Sequence, residues 1–248
     1  VKNIYVSRFF AALLTNENKL YAWGVKFGDN EHIDFQADTG QSYMSNVKSV
    51  FYNDYAMAAL RTDGTVLAWG HEDYGGDLSS FQGGLSNVEH IFTNPFSMIA
   101  LKTDKTIVGW GYASHGATVP TDGTATNIIH ITSNNSAYAA LKSDGSIISW
   151  GLIAVNPPSG MGSTDMAVQL QNTFSNTAPN NNFVAIYATY SAFAALRSNG
   201  MVIAWGAYGN GAGYGDGYAN GYNQPPVLTN IVTIRSTGYG FAAVRSDG

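Results

Sequence analysis

The side chains best suited to chemistry fall into three groups. Asp29, Glu31, His32, Asp34 and Asp38 stand within ten residues of one another, and His71, Glu72, Asp73 and Asp77 within seven. Carboxylates gathered this way offer the hard oxygens that calcium takes. Neither run has the spacing of an EF-hand loop or a Gly-Gly-x-Gly-x-Asp repeat, so both read first as solvated loops. His90 and His130 precede Ile91 and Ile131 in similar phrases. A zinc site there needs further ligands, and the equivalent positions offer Ser49, Ala185 and Thr233; hydrogen-bonded structural histidines fit better. The third group is the stretch 206–222, GAYGNGAGYGDGYANGY, with seven glycines and four tyrosines. A phosphate-cradling glycine loop lies between a strand and a helix, and no helical period is readable here.

Nucleophilic and acid–base catalysis find no support. The chain has no cysteine, hence no thiolate and no disulfide. No Ser/His/Asp set, paired-carboxylate constellation or G-x-S-x-G elbow is present. The expectation is a protein that is not an enzyme and that uses no cofactor and no metal.

What must position any site is a repeat. All five tryptophans close a short apolar run with Trp-Gly: Trp23-Gly24, Trp69-Gly70, Trp110-Gly111, Trp150-Gly151 and Trp205-Gly206. Their spacings are 46, 41, 40 and 55, and a period near forty belongs to arrays, solenoids or propellers. Residues 46–70 read NVKSVFYNDYAMAALRTDGTVLAWG, and 87–111, 127–151 and 182–206 repeat the phrase. A degenerate copy fills 1–24, and a sixth fills 230–248 and ends before its Trp-Gly.

Each copy predicts three strands, such as Val47 to Tyr52, Ala58-Ala59-Leu60 and Val66 to Trp69. Val66, Ile107, Ile147 and Val202 lie in β-branched runs that suit a pleated surface. Gly64, Gly145 and Gly200, each after Asp or Asn, supply the positive φ that a tight hairpin turn needs. Asp104-Lys105 departs from this, and its turn is expected to be less favourable. The alanine pairs at 58–59, 139–140, 194–195 and 242–243 let sheets approach closely, while tryptophan supplies volume one strand away. A lone unit cannot offset roughly 1–2 kcal/mol of chain entropy per residue. Stability must come from contact between units.

The phrase F-A-A-L-[KR]-[ST]-[DN]-G-x-[VI]-[IL]-x-W-G resembles the repeat of the regulator-of-chromosome-condensation family of β-propellers, over essentially the whole chain. Units near forty residues, and the linker GATVPTDGTATNI from Gly116 to Ile128, look most like the compact bacterial secreted branch, which includes a propeller-type β-lactamase inhibitor protein. The resemblance implies an all-β propeller domain over 1–248, with six repeats at about 1–45, 46–86, 87–126, 127–181, 182–229 and 230–248. It implies a six- or seven-bladed ring whose last repeat is truncated, as part of a longer protein. Family repeats usually end their first strand in Ala-Gly; here those positions read Tyr52-Asn53, Thr93-Asn94, Ser133-Asn134, Ala188-Thr189 and Ser236-Thr237.

Composition narrows the partners. Charged residues make up 12% of the chain, about half the usual share. Asn, Ser, Thr, Gly and Tyr do the solvating instead, which favours an extracellular or cell-surface setting. No apolar stretch reaches membrane length. Nucleic-acid binding wants a clustered positive footprint, and the net charge is −5. Five of the twelve cations, Arg61, Lys102, Lys142, Arg197 and Arg245, share one repeat position with Asp or Asn two residues on. They read as dispersed and locally neutralised, so no nucleic-acid partner is expected. Asn134-Asn135-Ser136 is an N-glycosylation sequon.

Specificity is expected in the variable linkers after each Trp-Gly. Tyr74, Tyr112, Tyr208, Tyr214, Tyr218 and Tyr222 are the candidate binding residues there. Tyrosine joins a large contact area to a polar tip at small rotamer loss. The expected function is a protein- or glycan-binding interaction module. The resemblance implies two alternatives: secreted inhibition of the β-lactamase-inhibitor type, and guanine-nucleotide exchange on a small GTPase. The compact linkers and the missing basic tail argue against exchange.

Overall fold

The computed structural model describes residues 1–25, 32–34, 43–152, 182–206 and 229–247. They form antiparallel sheets with no α-helix among them. The chain divides into two compact units, Val1–Val119 and Pro120–Gly248.

The first unit holds three sheets in chain order. They are β1 (Asn3–Val6), β2 (Phe10–Leu14), β3 (Leu20–Val25) and β4 (His32–Asp34); then β5 (Val47–Tyr52), β6 (Ala56–Arg61) and β7 (Val66–Gly70); then β8 (Val88–Asn94), β9 (Ser97–Lys102) and β10 (Ile107–Gly111). The second unit holds β11 (Ile128–Ser133), β12 (Ala137–Lys142) and β13 (Ile147–Gly151); then β14 (Phe183–Ala188), β15 (Ala192–Arg197) and β16 (Val202–Gly206); then the pair β17 (Ile231–Ser236) and β18 (Phe241–Arg245). Within each sheet the first, second and third strands are adjacent, so every connection is a hairpin.

The middle strand explains the alanines. Side chains alternate between the faces of a strand, and β6 is buried on both. Met57 and Ala59 enter the core shared with the first sheet, while Ala56, Ala58 and Leu60 enter the core shared with the third. β15 divides its residues the same way, Phe193 and Ala195 to one side and Ala194 and Leu196 to the other. Successive sheets in each unit therefore pack face to face.

Tryptophan fills the space that these alanines leave, at one position opposite the middle strand. Trp69 faces Met57, Trp110 faces Met98, Trp150 stacks on Tyr138 at 5.5 Å, and Trp205 stacks on Phe193 at 5.4 Å. Trp69 packs among Phe10, Leu14 and Leu20 of the preceding sheet. The five tryptophans are not equivalent, however. Trp23 lies opposite Ala11 and is 45% exposed.

The hairpins between middle and third strands are three-residue loops rather than two-residue turns. The Gly64 N–H donates to the Arg61 carbonyl and the Arg61 N–H to the Thr65 carbonyl, with positive φ confined to Gly64 at 81°. Lys105 adopts the same geometry at φ 66° without glycine's freedom. Asn46, Asn87, Asn127 and Asn230, just ahead of the first strands, also take positive φ near 60°, and each carbonyl accepts a hydrogen bond from its own unit's hairpin. A one-residue bulge follows at the second position of β5, β8, β11, β14 and β17.

The repeated aspartates also have a role within the turns. Asp63, Asp104 and Asp144 each accept from the backbone N–H and hydroxyl of the residue two ahead, Thr65, Thr106 and Ser146. They hold the turn, as short polar side chains do. Among the repeat cations, Arg245 forms an ion pair at 2.6 Å with Asp247.

Candidate functional site

The site begins at a buried asparagine. Asn53 follows β5 and is 7% exposed. Its Oδ1 accepts from the N–H groups of Tyr55 and Ala56 at 2.9 and 2.8 Å, and its Nδ2 donates to the Tyr74 carbonyl at 2.9 Å. Asn94 repeats the arrangement one sheet on. It accepts from the N–H groups of Phe96 and Ser97 and donates to the His115 carbonyl at 2.7 Å. Asparagine thus closes the strand-to-strand turn and ties down a distant loop with one side chain. Asn134 closes its own turn in the second unit, accepting from Ser136 and Ala137, and is itself buried. The sequon asparagine is therefore turned inward, with its Oδ1 engaged in its own turn.

Trp-Gly supplies the second half of the site. Gly70 has φ 121°, and a Cβ there would lie 2.5 Å from the Tyr55 carbonyl oxygen. Without that atom the chain swings across the turn, and the His71 N–H donates to the Tyr55 carbonyl at 2.9 Å. After Gly111, Tyr112 donates likewise to Phe96 at 2.9 Å. Each exit continues into a short 3-10 turn, Glu72–Tyr74 and Ala113–His115. His71 caps the first, its Nδ1 accepting from the Asp73 N–H.

These ties gather a terrace of rings along one end of the first unit. Phe9 stacks on Tyr55 at 5.8 Å, and Tyr55 on Phe96 at 6.4 Å, one ring from each sheet. Tyr74 lies 4.8 Å from Tyr55, 4.6 Å from His71 and 5.8 Å from Tyr112. His115 packs edge-on against Phe96 at 4.5 Å and beside Tyr112 at 5.0 Å. Arg8 sits over Phe9 at 5.2 Å. Tyr112 is 44% exposed; Phe9, Tyr55, His71, Tyr74, Phe96 and His115 are partly exposed. Burial pushes the His115 imidazole below its ordinary pKa of 6.5, so the ring is neutral at neutral pH.

A shallow cavity of about 510 Å³ adjoins the terrace, with Tyr112 common to both. Tyr112, Glu72, Asp73 and Asp77 line it, with the buried Trp110 beneath. The Trp110 Nε1 donates to the Gly75 carbonyl at 3.0 Å. Hydrogen bonds from Ser79 hold the Asp77 carboxyl below its ordinary range. Among the described residues no three His, Asp or Glu side chains converge as metal ligands do.

The terrace brings together two of the predicted binding tyrosines, Tyr74 and Tyr112. Tyr208, Tyr214, Tyr218 and Tyr222 lie outside the described residues, as do Asp29, Glu31 and Asp38. His90 packs between the rings of Phe51 and Phe92. Phe9, Tyr55 and Phe96 were missed as site residues, because they occupy a repeat position, just before the middle strand, rather than a linker. In the second unit the corresponding turns carry Tyr190 and Tyr239, 6.0 Å apart.

Solved structures resemble this arrangement. In a structure of Kap60 bound to yeast RCC1 (Prp20), the match has 17% identity and a TM-score of 0.52, covering 99% of this chain and 67% of that one. Prp20p from Saccharomyces cerevisiae, in a study of its binding to Gsp1p and histones, matches at 18% identity and TM-score 0.48, over 82% of this chain and 57% of that one. Human WBSCR16 matches at 19% identity and TM-score 0.49, over 82% and 61%. This chain spans about two thirds of those structures or less. No protein-family model and no curated protein matches it. The fold is all-β, built of three-stranded antiparallel sheets like those of the β-propeller in the yeast RCC1 structure.

Proposed function

We propose that the protein is a non-enzymatic interaction module that grips a protein or glycan partner with the aromatic terrace of its first unit. The observation that carries this reading is the pairing of turn rings with linker rings, Tyr55 with Tyr74 and Phe96 with His115, each pair held by one buried asparagine. Rings locked before binding lose little entropy when a partner arrives. Partly exposed tyrosines in a cluster are also typical of the central contacts in protein interfaces. The yeast RCC1 structure has the protein Kap60 bound to it, which agrees with a propeller used for contact.

The test is the double variant Tyr74→Ala, Tyr112→Ala, compared with wild type in capture experiments on arrayed glycans and native extracts. The reading expects thermal unfolding to stay within a few degrees while the captured partners are lost. An unchanged capture profile would remove the terrace as the binding surface.

A further inference from the structure

The bulge near the start of each first strand carries a different kind of residue in the two units. In β11 the pairing steps from Ile128 to His130 and leaves Ile129 as the extra residue; Val184 holds that place in β14 and Val232 in β17. A bulge turns its extra residue out of the ladder, and these three are 53%, 55% and 56% exposed. In the first unit the same place holds Lys48 and Glu89, both exposed, and Glu89 meets Lys105 in an ion pair. The backbone therefore aims this position at water. The first unit fills it with charge, while the second fills it three times running with a β-branched aliphatic side chain. β14 packs beside both β11 and β17, so the three side chains form a row.

The row has a concave, positively biased seat. A shallow cavity of about 430 Å³ is lined by Ile129 and Val184 together with Lys142, Ser143, Asp144 and Ser198. Lys142 ends β12 across from Ile128, and Arg197, across from Phe183, lies over the Phe183 ring at 4.9 Å. Against these two cations stands Asp144, whose Oδ1 already accepts from the Ser146 N–H and hydroxyl. The next hairpin carries Asn199 where others carry Asp63, Asp104 and Asp144, and so adds no negative charge. We propose that this row docks an extended segment of a partner protein that carries aliphatic and carboxylate side chains. The surface belongs to the second unit and shares no residue with the aromatic terrace. One aliphatic side chain of the partner enters between Ile129 and Val184, and a neighbouring carboxylate meets Lys142. Aliphatic contact supplies the affinity and the excess positive charge selects the sign of the partner. A bilayer fits less well: the seat is concave, and the row lacks the large aromatic and leucine side chains with which proteins hold membrane surfaces.

The experiment uses the whole chain and a fluorescein-labelled peptide of repeating glycine–leucine–glutamate, followed by fluorescence anisotropy. Peptides of repeating glycine–leucine–lysine and glycine–serine–glutamate, and vesicles of anionic phospholipid, serve as comparators. The leucine–glutamate peptide is expected to bind about tenfold or more tightly than either other peptide. Ile129→Thr with Val184→Thr keeps the branching and the charge, and is expected to weaken binding by about tenfold with thermal unfolding unchanged. Lys142→Gln is expected to weaken it several-fold and to narrow the preference for glutamate over lysine. Lys102→Gln makes the same charge change at the matching place in the first unit and is expected to bind within about twofold of wild type. Equal binding of the three peptides, or equal weakening in Lys142→Gln and Lys102→Gln, would overturn the proposal. So would binding to the vesicles without binding to the peptide, which would make the row a membrane contact.

Discussion

The Nδ2 of Asn94 donates to the carbonyl of His115 at 2.7 Å, across 21 residues of sequence. The same side chain closes the Phe96 turn through its Oδ1. One buried amide thereby fixes both members of a ring pair, and Asn53 does this for Tyr55 and Tyr74. The terrace's backbone anchors are polar and satisfied, while its rings stand partly in water.

Asn94→Ala removes those bonds and leaves the Phe96 and Ser97 N–H groups without their acceptor, while the Ser97 hydroxyl still donates to the His115 carbonyl at 2.8 Å. Unsatisfied buried donors and acceptors cost about 1–3 kcal/mol each, so a loss of about 3 kcal/mol is expected in urea unfolding. Asn94→Asp keeps the acceptor and loses the donor, and should cost less than the alanine change. A loss under about 0.5 kcal/mol for the alanine variant would mean the loop is held by other contacts.

Tryptophan substitutions should separate by position. Trp69→Ala empties a filled core and is expected to cost about 3–5 kcal/mol. Trp23→Ala, on a half-exposed ring, should cost less than about 1.5 kcal/mol. Equal costs would show that Trp23 is buried in solution.

The hairpins offer a test of opposite signs. Gly64→Ala forces a Cβ into φ 81° with the Val88 N–H 3.3 Å away, and about 1–2 kcal/mol of destabilisation is expected. Lys105→Gly relieves the same strain but adds unfolded-chain entropy and removes the Lys105–Glu89 ion pair. A gain of about 0.5 kcal/mol or less is expected. Denaturation midpoints of the two variants should therefore move in opposite directions.

Acid should weaken the fold in two stages. His115 and His130 have imidazoles lowered by burial, so the unfolded chain takes up protons first. Their contribution is full above the ordinary histidine value of 6.5 and is lost as pH falls through the lower folded values. Asp63, Asp104, Asp122 and Asp144 are lowered by Ser or Thr hydrogen bonds. Their contribution is present above the ordinary value of 3.8 and is lost below it. Unfolding measured across pH should show the first stage flattened in His115→Gln and the second softened in Asp104→Asn.

The repeat, the strands and the hairpin glycines were legible in the sequence because period-two burial and positive φ leave strong residue preferences. Tyr74 and Tyr112 were legible as candidates because they interrupt polar linkers. Phe9, Tyr55 and Phe96 were not, since a repeated position reads as scaffold even where its side chain points outward. The asparagines were read as departures from the family pattern. Their purpose depends on carbonyls 21 residues away, and a long-range backbone partner leaves no local mark.

The most direct measurement is hydrogen–deuterium exchange of the whole chain with and without a partner that the wild type captures. Protection confined to segments 53–56, 71–77 and 112–118 is the predicted result. Protection elsewhere, with those segments exchanging at their free rates, would contradict the assignment of the terrace as the surface the protein works with.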